Sequence, residues 1–198
     1  METVDTQTWI IIAAVVVLAL IGLGAWLFYQ KKQSQKLQAH FGPEYARTVD
    51  ALGSRTKAES ELKARESRVE RLDIVPLAPS EAARFSEAWL ALQGRFVDNP
   101  KSVLTQAEQL VRELMEKRGY PMGDFERRAA DISVHHPVVV ANYRSAQAIA
   151  VRDRQGLADT EELRKAVVYY RALFEELLDV RQPTHETADE QRRIAAHR

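Results

Sequence analysis

The chain lacks cysteine entirely and has only 8 glycines and 7 prolines among its 198 residues. Without cysteine it can form no disulfide, no thiolate metal site and no cysteine nucleophile. It also lacks net charge, since 28 Lys and Arg balance 28 Asp and Glu, whereas nucleic-acid-binding proteins usually carry a basic face. No GxGxxG, P-loop or GxSxG motif occurs. We therefore expect no cofactor, no nucleotide and no nucleic acid as a partner.

One long hydrophobic run is present, from Trp9 to Tyr29, and it contains no charged residue. As an α-helix with a rise of about 1.5 Å per residue, it is long enough to cross a hydrocarbon core of about 30 Å. A cleaved signal peptide is the alternative, but that would need a basic segment before the run. Residues 1–8 contain Glu2 and Asp5 and no Lys or Arg. We interpret 9–29 as an uncleaved transmembrane helix that contacts the lipid bilayer, preceded by a short tail, 1–8.

Positive charge follows this helix at Lys31, Lys32, Lys36 and Arg47. Cytoplasmic flanks of membrane helices are enriched in Lys and Arg. We therefore predict a single-pass protein of the cell membrane whose C-terminal domain faces the cytoplasm, with an extracytoplasmic domain as the alternative.

Residues 30–72 are predicted to be a juxtamembrane linker and charged stalk helices. The first part, 30–41, is polar and typical of a flexible linker or a helical extension. A helix is then expected from Pro43 to about Leu52, and another from Arg55 to about Leu72, after Gly53. Two i, i+4 ion pairs are expected on the second helix: Glu59 with Lys63 and Glu61 with Arg65.

Residues 73–181 are predicted to form a compact antiparallel helical bundle, followed by a polar tail, 182–198. Helix starts are expected near Pro79, Pro100, Asp124, Pro137 and Thr160, several with a capping residue just before them. Large apolar residues recur at helical spacing and are expected to form the core, notably Phe85, Trp89, Leu92, Phe96, Val103, Leu104, Leu110, Val111, Leu114, Tyr143, Val167, Tyr170, Phe174 and Leu177. No alternation typical of strands is present. The predicted fold class is all-α.

The segment from Gly119 to Pro137 interrupts this helical pattern with glycines and prolines. Binding residues are often found in loops on a rigid scaffold. We therefore predict a partner-binding surface with these residues: Tyr120, Met122, Asp124, Phe125, Glu126 and His136. The alternative is that Tyr120 and Phe125 plug the end of the bundle.

A metal site is the other hypothesis for this segment. Asp131 and His135 are four residues apart, so on a helix they share a face. The pair is a weak candidate, because no HExxH or paired ExxH motif accompanies it. The competing interpretation is that His136 caps a helix opened by Pro137 and that His135 lies in a solvated turn.

Two stretches of the chain carry a resemblance, RVERLDIVPLAPSEAARFSEAWLALQGRFVDNP and RGYPMGDFERRAADISVHHPVVVANYRSA. They resemble an uncharacterised family of bacterial membrane or secreted proteins, over about residues 41–180 and most specifically over Arg118 to Arg144. The resemblance implies an N-terminal anchor before an all-helical domain. It implies no activity for any residue.

These observations leave three hypotheses for function. The first is a membrane-tethered binding or adaptor module with a protein partner. The second is a metal-dependent enzyme that uses the cluster from Asp124 to His136. The third is a structural or stress-related component of the cell envelope.

Overall fold

The computed structural model describes residues 6–178, with side chains from residue 15 onward. This part of the chain contains eight helices and no strand: α1 (Thr6–Phe41), α2 (Pro43–Leu52), α3 (Arg55–Val69), α4 (Pro79–Gly94), α5 (Pro100–Lys117), α6 (Phe125–His135), α7 (Val140–Arg154) and α8 (Thr160–Leu177). The predicted all-α class is confirmed. The predicted tail, 182–198, lies outside the described residues.

Most helix starts follow from local chemistry that the sequence displays. Proline occupies the first turn of α2, α4 and α5, where its missing N–H removes no hydrogen bond. Asn99 caps α5 by accepting a hydrogen bond from the Ser102 amide. At α8, Asp159 and Glu162 form the predicted capping box.

The predicted start of α7 is wrong. We expected His136 to cap a helix opened by Pro137, but α7 begins at Val140. The His136 amide instead donates to the Ile132 carbonyl and ends α6. The residue before a proline is disfavoured in helical conformation, so the chain leaves α6 at His136 and turns before α7 begins.

The segment 30–41 is a helical extension, the second of the two forms expected for it, because α1 continues through it to Phe41. Its Gln, Lys and Leu residues favour helix, and it buries Leu37 and Phe41. The next stalk helix, α3, ends at Val69 rather than near Leu72.

The chain divides into two compact units, Met1–Leu62 and Lys63–Arg198, and the division falls inside α3. In the first unit, α1 packs against α2. Gly42 and Gly53 have positive φ, at 49° and 62°, and allow the chain to turn at the two ends of α2.

One described helix is long and apolar enough to cross a membrane by length and composition, the part of α1 from Val15 to Phe41. A signal sequence near an N-terminus would have the same properties. The most apolar stretch of this helix contains no residue that is buried inside the protein.

The second unit is a helical bundle in which α8 packs against both α5 and α7, while α4 packs on α5 and α6 on α7. Trp89 stacks on Phe174 with ring centroids 4.6 Å apart, and both rings are buried. The expected core residues are buried in this unit, with two exceptions. Leu110 of α5 and Phe96, which follows the end of α4, are only partly buried against the core.

Candidate functional site

The predicted binding segment begins with a residue that is not on the surface. Tyr120 is only 3% exposed and belongs to the core of the bundle. Burial raises the pKa of its phenol to about 12, so the ring stays neutral at physiological pH. No described group accepts or donates a hydrogen bond at its hydroxyl. Tyr120 therefore fills the end of the bundle, as the alternative prediction states, and is not available to a partner.

Phe125 and Met122 are partly buried against the same core. The Phe125 ring lies 4.9 Å from the ring of Tyr143 on α7. The guanidinium carbon of Arg144 lies 6.0 Å from the centroid of the Phe125 ring, within cation–π range. Arg144 also pairs with Glu126 at 2.6 Å. The first turn of α6 is thus attached to α7 through both an aromatic and an ionic contact.

The start of α6 is held by two further polar contacts. Asp124 is the N-cap, and its carboxylate accepts a hydrogen bond from the Arg127 amide at 2.8 Å. Arg128, which is buried, donates to the Gly123 carbonyl and, at 3.2 Å, to the Tyr143 hydroxyl. Burial raises the pKa of Tyr143, although the hydrogen bond from Arg128 acts in the opposite direction. These contacts give the segment a fixed backbone path.

Arg118, just before the segment, joins distant parts of the second unit. Its side chain donates to the carbonyl of Val75 at 3.3 Å and to that of Leu177 at 3.1 Å. The Val75 amide in turn donates to the Arg118 carbonyl at 3.0 Å. Because Leu177 ends α8 and Val75 precedes α4, a single buried arginine joins two backbone segments that are far apart in the sequence.

The two predicted metal ligands, Asp131 and His135, lie in different environments, one buried and one exposed. Asp131 is 1% exposed, and its Oδ1 accepts from Nη2 of Arg68 at 2.7 Å and from Nε at 2.8 Å. His135 is exposed. Among the described residues, no group of three or more His, Asp or Glu side chains could hold a metal ion. A buried carboxylate requires a partner. Arg68 supplies one to Oδ1, whereas Oδ2 accepts no hydrogen bond from the described residues and lies 3.9 Å from Nε of Arg127.

His136 is partly buried, with its side chain 12% exposed, and its Nδ1 lies 3.0 Å from a carboxylate oxygen of Glu176 on α8. This contact, absent from the sequence-based prediction, links the end of α6 to α8. Several side chains in and just after the segment remain exposed: Asp124, Glu126, Arg127, His135 and Val138. Val138 is the most apolar of them and is 80% exposed. Of the six predicted contact residues, only Asp124 and Glu126 are exposed.

A second polar cluster, in the first unit, was missed by the sequence analysis. Ser34 of α1, Tyr45 of α2 and Arg55 of α3 all donate to one oxygen, Oε1 of Glu59. The distance is 2.8 Å from Tyr45 and 3.0 Å from Arg55. Arg55 also donates to Ser34 through Nη2. We expected Glu59 to pair with Lys63, but its observed cation is Arg55, on the preceding turn of α3.

The charges of this cluster stabilise each other. Burial alone would raise the pKa of Glu59, but the hydrogen bonds from Ser34, Tyr45 and Arg55 outweigh it and lower that pKa. The hydrogen bond to Glu59 likewise raises the pKa of Arg55. The sequence did contain a signal for the burial of Ser34, because Ser34, Leu37 and Phe41 share one face of a helix. All three side chains are buried.

Comparisons with protein-family models, curated proteins and solved structures found no match to this chain. The resemblance to bacterial helical proteins stays a prediction.

Proposed function

We propose that this protein is a membrane-tethered helical binding module, anchored by α1 and presenting its bundle to a protein partner. The observation that carries the proposal is the exposure of the apolar part of α1. Its large apolar and aromatic side chains are all more than half exposed: Val15, Val16, Val17, Leu18, Leu20, Ile21, Leu23, Trp26, Leu27, Phe28 and Tyr29. Burying one such side chain is worth about 1.5–3 kcal/mol, and a whole domain is stable by only about 5–15 kcal/mol. A helix of this kind needs a lipid environment.

The continuity of α1 supports a permanent anchor rather than a cleaved signal. The helix runs without interruption from the apolar stretch into a polar part that buries Ser34, Leu37 and Phe41. The polar part therefore belongs to the folded first unit. Lys31, Lys32 and Lys36 directly follow the apolar stretch, which favours a cytoplasmic location for the rest of the chain.

The partner surface that we propose is the exposed face of α6 together with the turn before α7. Phe125, Arg128 and Arg144 fix this part of the backbone by the contacts described above, so its exposed groups are held in place. Val138 projects from the turn with 80% of its surface exposed. Arg127 and His135 are exposed on α6. Exposed apolar and charged side chains on a fixed backbone are the components of a protein interface, which combines an apolar core with a polar rim.

The test compares two substitutions of the same chemistry at exposed valines, Val138→Asp and Val97→Asp. Val97 is 90% exposed and lies in the turn between α4 and α5, so it is the matched control. Each full-length variant is expressed in membranes and cross-linked, and the co-purifying proteins are compared by quantitative mass spectrometry. We expect Val138→Asp to lose a specific partner that Val97→Asp retains.

Circular dichroism should show that both variants keep the helix content of the parent protein. If the two variants retain the same cross-linked proteins, the α6 surface is not the contact. If the parent protein has no specific partner, the third hypothesis, a structural envelope component, replaces the binding module.

A further inference from the structure

We propose that the first unit contains a binding site for the phosphate of an anionic phospholipid, in a groove between α1 and the start of α3. This inference rests on the proposed membrane anchoring. The open groove has a volume of about 450 Å³, and its polar lining includes Lys31, Ser34 and Gln35 from α1 and Arg55 and Thr56 from α3. Leu27, near the end of the exposed apolar stretch, lines the same groove.

The cations of the groove are available for a ligand. Arg55 donates to Glu59 and Ser34 through Nε and Nη2, its side chain is 60% exposed, and Nη1 remains to bind an anion. Lys31 is exposed, and no carboxylate of the described residues pairs with it. Guanidinium and ammonium groups form charge-assisted hydrogen bonds with phosphate oxygens.

Glu59 also lines the groove, and its negative charge opposes an anionic ligand. Its Oε1, however, accepts hydrogen bonds from Ser34, Tyr45 and Arg55, and these donors offset its charge. The charged lining groups are two cations, Lys31 and Arg55, and one anion, Glu59, so the groove carries a net charge of +1. Glu59 thus holds Arg55 at the groove and does not prevent an anionic ligand from binding there.

The position of the groove along α1 indicates which phosphate it binds. Tyr29 ends the exposed apolar stretch, and Lys31 follows two residues later, a rise of about 3 Å along the helix. If the apolar stretch occupies the hydrocarbon core, Lys31 lies at the level of the lipid headgroups, and Arg55 lines the same groove as Lys31. Trp26 and Tyr29, near the end of that stretch, are residue types that prefer this interface. Anionic lipids attract basic residues at this depth.

The helix supplies a matched control, because Lys32 and Lys36 lie on the same polar part of α1 but do not line the groove. The double variant Lys31→Gln/Arg55→Gln and the control Lys32→Gln/Lys36→Gln each remove two positive charges. Full-length protein in detergent is titrated with phosphatidylglycerol or phosphatidylcholine, and the bound lipid is measured by native mass spectrometry.

We expect the parent protein to bind phosphatidylglycerol selectively. Losing general attraction should weaken binding by about fivefold per cation, or roughly 25-fold in each double variant. The groove variant should lose at least roughly a further tenfold, because it also loses hydrogen bonds to the charged phosphate. Equal losses in the two variants, or no selectivity in the parent, would overturn the groove as a lipid site. So would complete displacement of the lipid by inorganic phosphate, which would indicate a site for free phosphate.

Two further measurements separate the possible causes of a negative result. Arg55→Gln also disturbs the hydrogen bonds to Glu59, so the single variant Lys31→Gln, which leaves them intact, must show reduced lipid binding as well. All variants are also reconstituted into phosphatidylcholine vesicles and extracted with alkaline carbonate. Failure of the parent to stay in the vesicles overturns the anchor and the lipid site together, whereas stable insertion without selective binding overturns the lipid site alone.

Discussion

Single residues of the RGYPMGDFERR stretch have structural tasks that are visible only in three dimensions. Arg118 donates hydrogen bonds to the backbone carbonyls of Val75 and Leu177, and Tyr120 belongs to the core. Gly119, between them, has a φ of 91°. A Cβ added to it would lie 2.2 Å from the carbonyl oxygen of Asp73. The backbone at Asp73 can approach α5 only because residue 119 has no side chain.

We predict that Gly119→Ala destabilises the protein more than Gly156→Ala does. Both glycines have positive φ, but a Cβ at Gly156 would meet no atom within 4 Å. Gly156→Ala should therefore cost only the backbone strain, about 1–2 kcal/mol. Gly119→Ala adds a clash with backbone, and its total cost should exceed about 3 kcal/mol.

Thermal unfolding of the full-length protein in detergent, followed by circular dichroism, measures this difference. A chain of this size loses about 2–4 °C of melting temperature per kcal/mol. Equal melting temperatures for the two variants would show that the segment around Asp73 moves away freely, contrary to the close approach described here.

At the scale of elements, the first unit depends on a hydrogen-bonded cluster that joins three helices. Ser34, Tyr45 and Glu59 come from α1, α2 and α3, respectively. Within this unit the charged α3 buries few apolar residues apart from Ala58 and Leu62. The hydrogen-bonded cluster therefore supplies a substantial part of the contacts between α3 and the other two helices.

We predict that the side-chain carboxyl of Glu59 titrates below the pKa of about 4.3 that an unfolded glutamate shows. Because the folded-state pKa is lowered, the cluster contributes stability above the unfolded pKa. That contribution is lost as the pH falls through the folded pKa. The first unit should thus be unaffected near neutral pH and loosen in acid.

A carbon-detected NMR titration of the Glu59 carboxyl measures the midpoint directly. Tyr45→Phe removes one of the three donors and should move the midpoint up, toward the value of an unfolded glutamate. A midpoint at or above about 4.3 in the parent protein would contradict the hydrogen-bonded cluster.

For the whole molecule, the proposed topology can be tested because the chain has no cysteine. We predict that a cysteine at Leu157, which is 62% exposed, is protected from a membrane-impermeant maleimide in intact spheroplasts of a bacterial host. It should react fully after the cells are lysed. A cysteine at Thr3 is the control and should react without lysis. Protection of the Thr3 cysteine together with labelling at Leu157 would reverse the orientation, which is the alternative given by the sequence.

The elements that could be predicted from the sequence are those controlled by local chemistry. The apolar stretch of α1, the proline starts of α2, α4 and α5, and the Asp159 capping box depend on neighbouring residues alone. The core positions of α4, α5 and α8 follow from helical spacing, and most of them are buried as expected. The physical reason is that these features depend on interactions within a few turns of the chain.

The tertiary structure decided the features that join distant residues. Arg68 with Asp131 and His136 with Glu176 bring together side chains separated by many positions, and no local pattern indicates them. In the cluster on Glu59 only the pair with Arg55 is local, at i, i+4, whereas Ser34 and Tyr45 come from other helices. Burial changed the interpretation of Tyr120, because an aromatic residue in a Gly- and Pro-containing segment can face either solvent or core. Such choices depend on the free energy of packing and of pairing buried polar groups, which is defined only once the helices are assembled.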